Sequence, residues 1–181
     1  MRIFNLGMGR TGTKSFHTLM LKSKLSSVHE PSKDSLFVEL EKDIDSFSGG
    51  LTHRYKEIYE IYPDAKYILT VRNAESWLLS RIRLHYSWIH SLDEDLGMNL
   101  FFSKDCCHFL ETIDDLMRRY NEINEEIIDF FKDKENFMVL NFIDSTNKNK
   151  LASKLFKFLE IASVIEFPHE NNNKRGVLGH Q

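Results

Sequence analysis

Residues 7–15 read Gly-Met-Gly-Arg-Thr-Gly-Thr-Lys-Ser, which puts three glycines, two cations and three hydroxyls into nine positions. Glycines let successive backbone N–H groups turn toward one point, and a helix starting just behind them adds the partial positive charge of its N-terminus. A loop of this kind holds a phosphate or a similar oxyanion. Arg10 and Lys14 supply positive charge, and Thr11, Thr13 and Ser15 supply hydroxyl donors. A plain strand-to-helix turn requires neither three glycines nor two cations.

Three anion-binding patterns compete for this loop. The nucleotide-hydrolase pattern G-x4-G-K-[ST] fits the spacing of Gly7 and Gly12, but Thr13 intrudes before Lys14-Ser15. Hydrolases of that kind also need an apolar strand ending in Asp to hold magnesium, whereas KYILTVR ends in Arg72. Gly7, Gly9 and Gly12 equally satisfy the dinucleotide pattern G-x-G-x-x-G, and Glu30 lies near the place of the ribose-binding acid. Against an NAD-binding protein stand the short chain, with little room for a substrate domain, and the cations in the loop.

The third reading rests on resemblance. NLGMGRTGTKSF resembles the 5′-phosphosulfate loop of the P-loop sulfotransferase family, closest to short bacterial-type members with G-x-G-R-T-G-T-x-S. YILTVRNAESWLLSR is similar to the family's 3′-phosphate motif, with Arg72 at the strand end and Ser80 eight positions later. An arginine there offers a planar fork of donors, and a serine on the next helix adds a hydroxyl. The late segment NNNKRG carries Lys174, Arg175 and Gly176, which resemble the basic-glycine segment that closes over the donor. FMVLNFIDSTNKNKLASKLFKFLEI resembles the family's final strand and helix.

The resemblance implies 3′-phosphoadenosine 5′-phosphosulfate as donor, adenosine 3′,5′-bisphosphate as product and no metal ion. Gly9, Arg10, Thr11, Gly12, Thr13, Lys14 and Ser15 would wrap the phosphosulfate, and Arg10 would stabilise charge on the transferring group. Arg72 and Ser80 would take the 3′-phosphate, with Lys174, Arg175 and Gly176 beside it. Besides the sulfotransferase, an NAD-binding Rossmann protein and a non-catalytic nucleotide-binding module stay open on the residues alone.

A hydroxyl or amine acceptor needs a base. The family places a Glu or His near the end of the second strand, where His29 and Glu30 stand. Histidine titrates near neutrality, and a half-buried glutamate can be raised toward it. His53, beyond Gly49-Gly50, is a further candidate, while His17 reads as a helix-face residue. His85 and His90 either line the acceptor cleft or face solvent. Trp88, Phe101, Phe102 and the Cys106-Cys107 pair fall where the family builds its acceptor pocket. Aromatics there suit a carbohydrate or small alcohol, although aromatics at helical spacing also form cores.

These residues must be positioned by strands and helices. Apolar runs predict strands over Arg2–Leu6, about Leu25–His29, about Asp43–Phe47, Lys66–Val71 and Phe137–Phe142. KYILTV and FMVLNF are nearly continuous, as in parallel strands covered on both faces. Helical spacing runs through Phe16, Leu19 and Met20, through Ile58, Tyr59 and Ile61, and through Trp77, Leu78, Arg81 and Ile82. It returns in a long stretch from Phe109 to Phe131 and again from Leu151 to Leu159. Alternation of this kind predicts an α/β fold, a P-loop-type doubly wound parallel sheet of about five strands with helices on both faces.

The whole chain, 181 residues, fits one domain. Hydrophobic residues at 41% and charged residues at 28% are those of a globular protein, and a net charge of −3 predicts no general attraction to nucleic acid or anionic lipid. Apolar runs of four or five residues predict no membrane span. The start, MRIFNLGMGR, has no signal-peptide apolar stretch, and the two cysteines are neighbours without metal-ligand spacing. Together these lead to an expectation of a cytoplasmic enzyme with reduced thiols and a small-molecule or carbohydrate acceptor.

Overall fold

The computed structural model describes residues 1–31, 40, 43–89 and 109–162. Its five strands are β1 (Ile3–Asn5), β2 (Ser27–His29), β3 (Ser46–Ser48), β4 (Lys66–Thr70) and β5 (Phe137–Leu140). They form one parallel sheet in the order β2-β3-β1-β4-β5. The main helices among the described residues are α1 (Thr13–Lys22), α2 (Tyr55–Ile61), α3 (Ala74–Ile89), α4 (Phe109–Phe131) and α5 (Lys148–Leu159). None is long and apolar enough to cross a membrane.

Strand alternation sorts the side chains into two cores. On one face Phe4, Phe47, Tyr67 and Leu69 pack with Tyr55 and Ile58 of α2 and Ile127 and Phe131 of α4. On the other, Ile3 and Ile68 pack with Phe16, Leu19 and Met20 of α1 and with Leu155, Phe156 and Leu159 of α5. A third cluster, Trp77, Leu78 and Tyr120, joins α3 to α4. The expected α/β sheet with helices on both faces is the one observed.

Strand limits differ from the apolar runs. β3 lies at 46–48 rather than 43–47, because the Asp45 carboxylate turns back to accept from Ser26 N and Oγ, both at 2.9 Å, and pairing starts after it. β5 stops at Leu140, whose carbonyl takes the Val71 N–H. As the outermost strand it is covered less than β4, and Val139 is 41% exposed. Two-sided cover is therefore a property of β4 and not of β5.

The aromatic core sets much of the stability. The fully buried Phe131 ring stacks on Phe137 at 4.7 Å and meets Tyr67 at 4.9 Å. Phe131→Ala should lower the unfolding free energy by about 3–5 kcal/mol, read from denaturant midpoints at an unchanged m-value. A loss below ~1 kcal/mol would show that this cluster collapses around the deletion or contributes little.

Candidate functional site

The chain leaves β1 toward β2 and leaves β4 toward β5, in opposite directions across the sheet. Their carboxyl ends therefore border a topological switch point, where such sheets open a crevice. Here the glycine loop begins. Gly7 lies against Thr70 so closely that a Cβ at position 7 would overlap Thr70 Oγ1 and stand 2.6 Å from its carbonyl oxygen. Asn5 Oδ1 accepts from Gly7 N at 3.0 Å and from Thr70 Oγ1 at 2.9 Å. Thr11 Oγ1 donates to Met8 O at 2.7 Å and lies 3.0 Å from Thr70 Oγ1. Asn5, Thr11 and Thr70 are fully buried, so the loop's shape is built in from below.

At the loop's far end Gly12 is the N-cap of α1, with φ +99°, and a Cβ there would overlap the Phe142 ring. No side chain caps this helix, in contrast to α5, where Asn147 accepts from Lys150 N. The first-turn amides of α1 thus remain available to an oxyanion. Thr13 and Ser15 are buried in that turn, while Lys14 is exposed.

One face of α3 addresses the loop. Trp77 Nε1 donates to Gly9 O at 3.0 Å, and Ser80 Oγ accepts from Arg10 Nε at 2.9 Å. Arg81 Nη1 would stand 3.6 Å from a Cβ on Gly9. Arg10 holds a left-handed backbone, φ 77°, which costs about 1–2 kcal/mol outside glycine. Burial, then the nearby Arg72 and Arg81, hold its guanidinium below the ordinary arginine range.

Arg72 and Ser80 flank the loop but are not bonded to each other. Arg72 Nε donates to Ser76 Oγ at 2.7 Å and lies 3.8 Å from Asp144 Oδ1. Its backbone is clamped by one hydroxyl: Tyr120 OH accepts from Arg72 N and donates to Arg72 O, each at 2.8 Å. Asp144 also accepts from Asn73 N at 2.6 Å, Asn141 Nδ2 at 3.0 Å and Ser76 Oγ at 3.1 Å. Burial would raise its carboxyl, but these bonds and Arg72 outweigh it and hold it below the usual carboxylate range.

At the end of β2, His29 Nε2 lies 3.2 Å from Thr13 Oγ1. His17, one turn along α1, places Nδ1 2.8 Å from Ser27 Oγ, and the two imidazole rings are 5.8 Å apart. The sequence suggested only a helix-face role for His17, whereas α1 packs it beside His29. Burial first, then His17 and Lys14, lower the His29 pKa, with Glu30 opposing. Burial and Lys14 lower that of His17 as well. Glu30 is exposed with φ 56°, and His53 is exposed on the following turn.

Lys174, Arg175, Gly176, His90, Phe101, Phe102, Cys106 and Cys107 lie outside the described residues, as do the side chains of His85 and Trp88. Three contributors were not singled out from the sequence: Arg81, Tyr120 and Asp144. For Arg81 the signal was present, since a cation on an otherwise apolar stripe with Trp77, Leu78 and Ile82 calls for a partner. Tyr120 and Asp144 are remote from the motifs, and only the fold brings them to Arg72. Among the described residues no group of three or more His, Cys, Asp or Glu side chains is arranged to hold a metal ion.

A family model described as a sulfotransferase domain matches residues 21–175. The matched span starts beyond the glycine loop, so the match and the loop geometry are separate observations. No curated protein matches the chain significantly.

The two histidines predict an acid-sensitive fold. Their folded pKa values lie below the ordinary value of about 6.5. The unfolded chain therefore binds protons first as pH falls, and stability present above that value is lost on acidification. Melting temperature should drop between about pH 7 and pH 5, and His17→Gln and His29→Gln should each flatten the drop. Parallel profiles for wild type and both variants would assign the acid sensitivity elsewhere.

Proposed function

The chain belongs to the sulfotransferase domain family, and from that premise we propose that it moves a sulfuryl group from 3′-phosphoadenosine 5′-phosphosulfate to a hydroxyl or amine of an acceptor. The observation that carries this reading is the loop itself. Its amides and an uncapped helix N-terminus meet a cluster of guanidiniums with little opposing charge, and His29 at the end of β2 reaches Thr13 in the first turn of α1.

The residues fit the donor. Above Gly9 the nearest group is the cationic Arg81, leaving the loop crest open toward positive charge. Loop amides, Arg10, Thr13 and Ser15 would hold the phosphosulfate, and Arg72 with Ser80 would take the 3′-phosphate. When bound, the donor supplies an activated sulfuryl group and a stable nucleotide leaving group. Arg10 offers donors to charge that grows on the leaving oxygen. His29 Nε2 takes the acceptor's proton as the new S–O or S–N bond forms and the S–O bond to the nucleotide breaks. A lowered pKa keeps His29 neutral near pH 7, in the form able to accept that proton. Glu30, exposed beside it, is the alternative base.

The dinucleotide reading loses support from topology. In doubly wound dinucleotide folds the strand carrying the ribose-binding acid lies next to β1. Here β3 stands between β1 and β2, so Glu30 ends a strand two places away.

Saturating adenosine 3′,5′-bisphosphate, without magnesium, should raise the melting temperature by roughly 5–10 °C at 100 times Kd. Equal stabilisation by NAD, or a strict need for magnesium, would sink the proposal. His29→Ala should leave bisphosphate affinity nearly unchanged while transfer to an acceptor falls about 10²–10⁴-fold. Intact turnover in both His29→Ala and Glu30→Gln would remove this pair and bring His53 forward.

A further inference from the structure

Two rungs tie the end of β2 to α1. Thr13 and His17 stand at i and i+4 on the helix, and Ser27 and His29 at i and i+2 on the strand, so each pair shares a face. Thr13 Oγ1 lies 3.2 Å from His29 Nε2, and His17 Nδ1 lies 2.8 Å from Ser27 Oγ. Each rung contains one imidazole, one from the strand and one from the helix. The two rings therefore meet in the seam, 5.8 Å apart and inclined at 43°.

Strand β3 gives the His29 ring no comparable support. Gly49 has no side chain, although a Cβ there would stand 3.3 Å from Nε2. Ser48, in register with His29, is fully buried, and its hydroxyl has no hydrogen-bond partner among the described residues. It does not hold the ring. The ring packed beside His29 is that of His17, itself anchored on Ser27 two residues earlier on the same strand.

Charge runs through the same contacts. Lys14 and His17 on α1 disfavour a proton on His29, while Glu30 beyond β2 favours one. Lys14 acts on His17 in the same sense. Ser46, Phe47 and Ser48 of β3 bring no titratable group to the seam. Two imidazoles this close titrate as a pair, and a proton on one makes a proton on the other harder to add.

We propose that His17 is a positioning residue that, anchored on Ser27, braces the His29 ring with Nε2 held beside the first turn of α1, ready for the acceptor's proton. The inference rests on the reading of His29 as the base and deepens it. His17 touches no reacting atom. It stays neutral while His29 takes the proton, so the pair carries one positive charge after transfer.

The test uses the full chain with isotope-labelled histidines, followed by NMR from about pH 5 to pH 9. The two signals are assigned by their loss in His29→Gln and His17→Gln. His17→Gln should raise the His29 midpoint, and His29→Gln should raise that of His17 by a like amount, because coupling between two sites is reciprocal. At the alkaline end wild-type His29 should show one ring tautomer in its nitrogen shifts. His17→Gln should mix the two tautomers. His17→Phe, which keeps a ring without the charge, should restore the single tautomer and leave the midpoint raised. His17→Ala, a better helix former, replaces His17→Gln in both readouts if the latter folds poorly. Adenosine 3′,5′-bisphosphate, titrated by calorimetry, should bind wild type and His17→Gln within about threefold of each other. If His17→Gln moves neither the midpoint nor the tautomer of His29, the brace is overturned while the donor reading stands. A raised midpoint with an unchanged tautomer leaves charge coupling alone and overturns the brace as well. If wild type does not bind the bisphosphate, the sulfotransferase reading falls, and with it the base that His17 would position.

Discussion

Everything at the carboxyl edge of the sheet follows from how closely β1 and β4 bring Gly7 and Thr70 together. No side chain fits at position 7, so the backbone itself touches the neighbouring strand. The contact buries polar groups; Asn5 Oδ1, Thr11 and Thr70 bond among themselves, while the buried Asn5 Nδ2 is left without a hydrogen-bond partner. Three contacts share two hydroxyl protons, because Thr11 and Thr70 have one each for Met8 O, for Asn5 Oδ1 and for one another. This network leaves the loop's outward amides free. The anion site proposed above needs donors that are not used within, and burying the bonding groups beneath the loop suits that need.

Charge is arranged by the same logic of separate layers. The chain is slightly acidic as a whole, yet Arg10, Arg72 and Arg81 gather where β1, β4 and α3 meet. Asp144 offsets part of this while fastening the start of α3 through Asn73 N and Ser76. One carboxylate thus does two jobs, lowering the cost of placing arginines together and fixing the helix that carries Ser80 and Arg81. Among the described residues, positive charge is gathered locally at the carboxyl edge of the sheet while the net charge of the chain stays at −3.

Much of this was legible in the sequence, and for physical reasons. Glycines at residues 7–15 announce a tight strand-to-helix loop because little else fits there, and the structure holds that loop between β1 and α1. KYILTV announces a buried strand because its apolar run is continuous. Pairing choices were harder. Arg72 and Ser80 are linked by spacing alone, but their hydrogen bonds go to Ser76 and Arg10, since a side-chain rotamer follows its nearest partner and not its motif. His17 looked like surface because helix periodicity reports which face is apolar, not what a polar face touches across a crossover. Tyr120 and Asp144 carry no local signature; their roles depend on distant segments arriving beside Arg72.

Tyr120 also bears on the tempo of recognition. Its hydroxyl closes both the N–H and the C=O of Arg72, and its ring stacks on Trp77 at 4.3 Å, which in turn holds Gly9. Loop crest, strand end and helix are thereby joined through two aromatic rings into one rigid frame. A frame tied together in this way during folding would offer a ligand the same donor geometry before and after it arrives, and under the proposed function differences in affinity would then fall mainly on the rate of release.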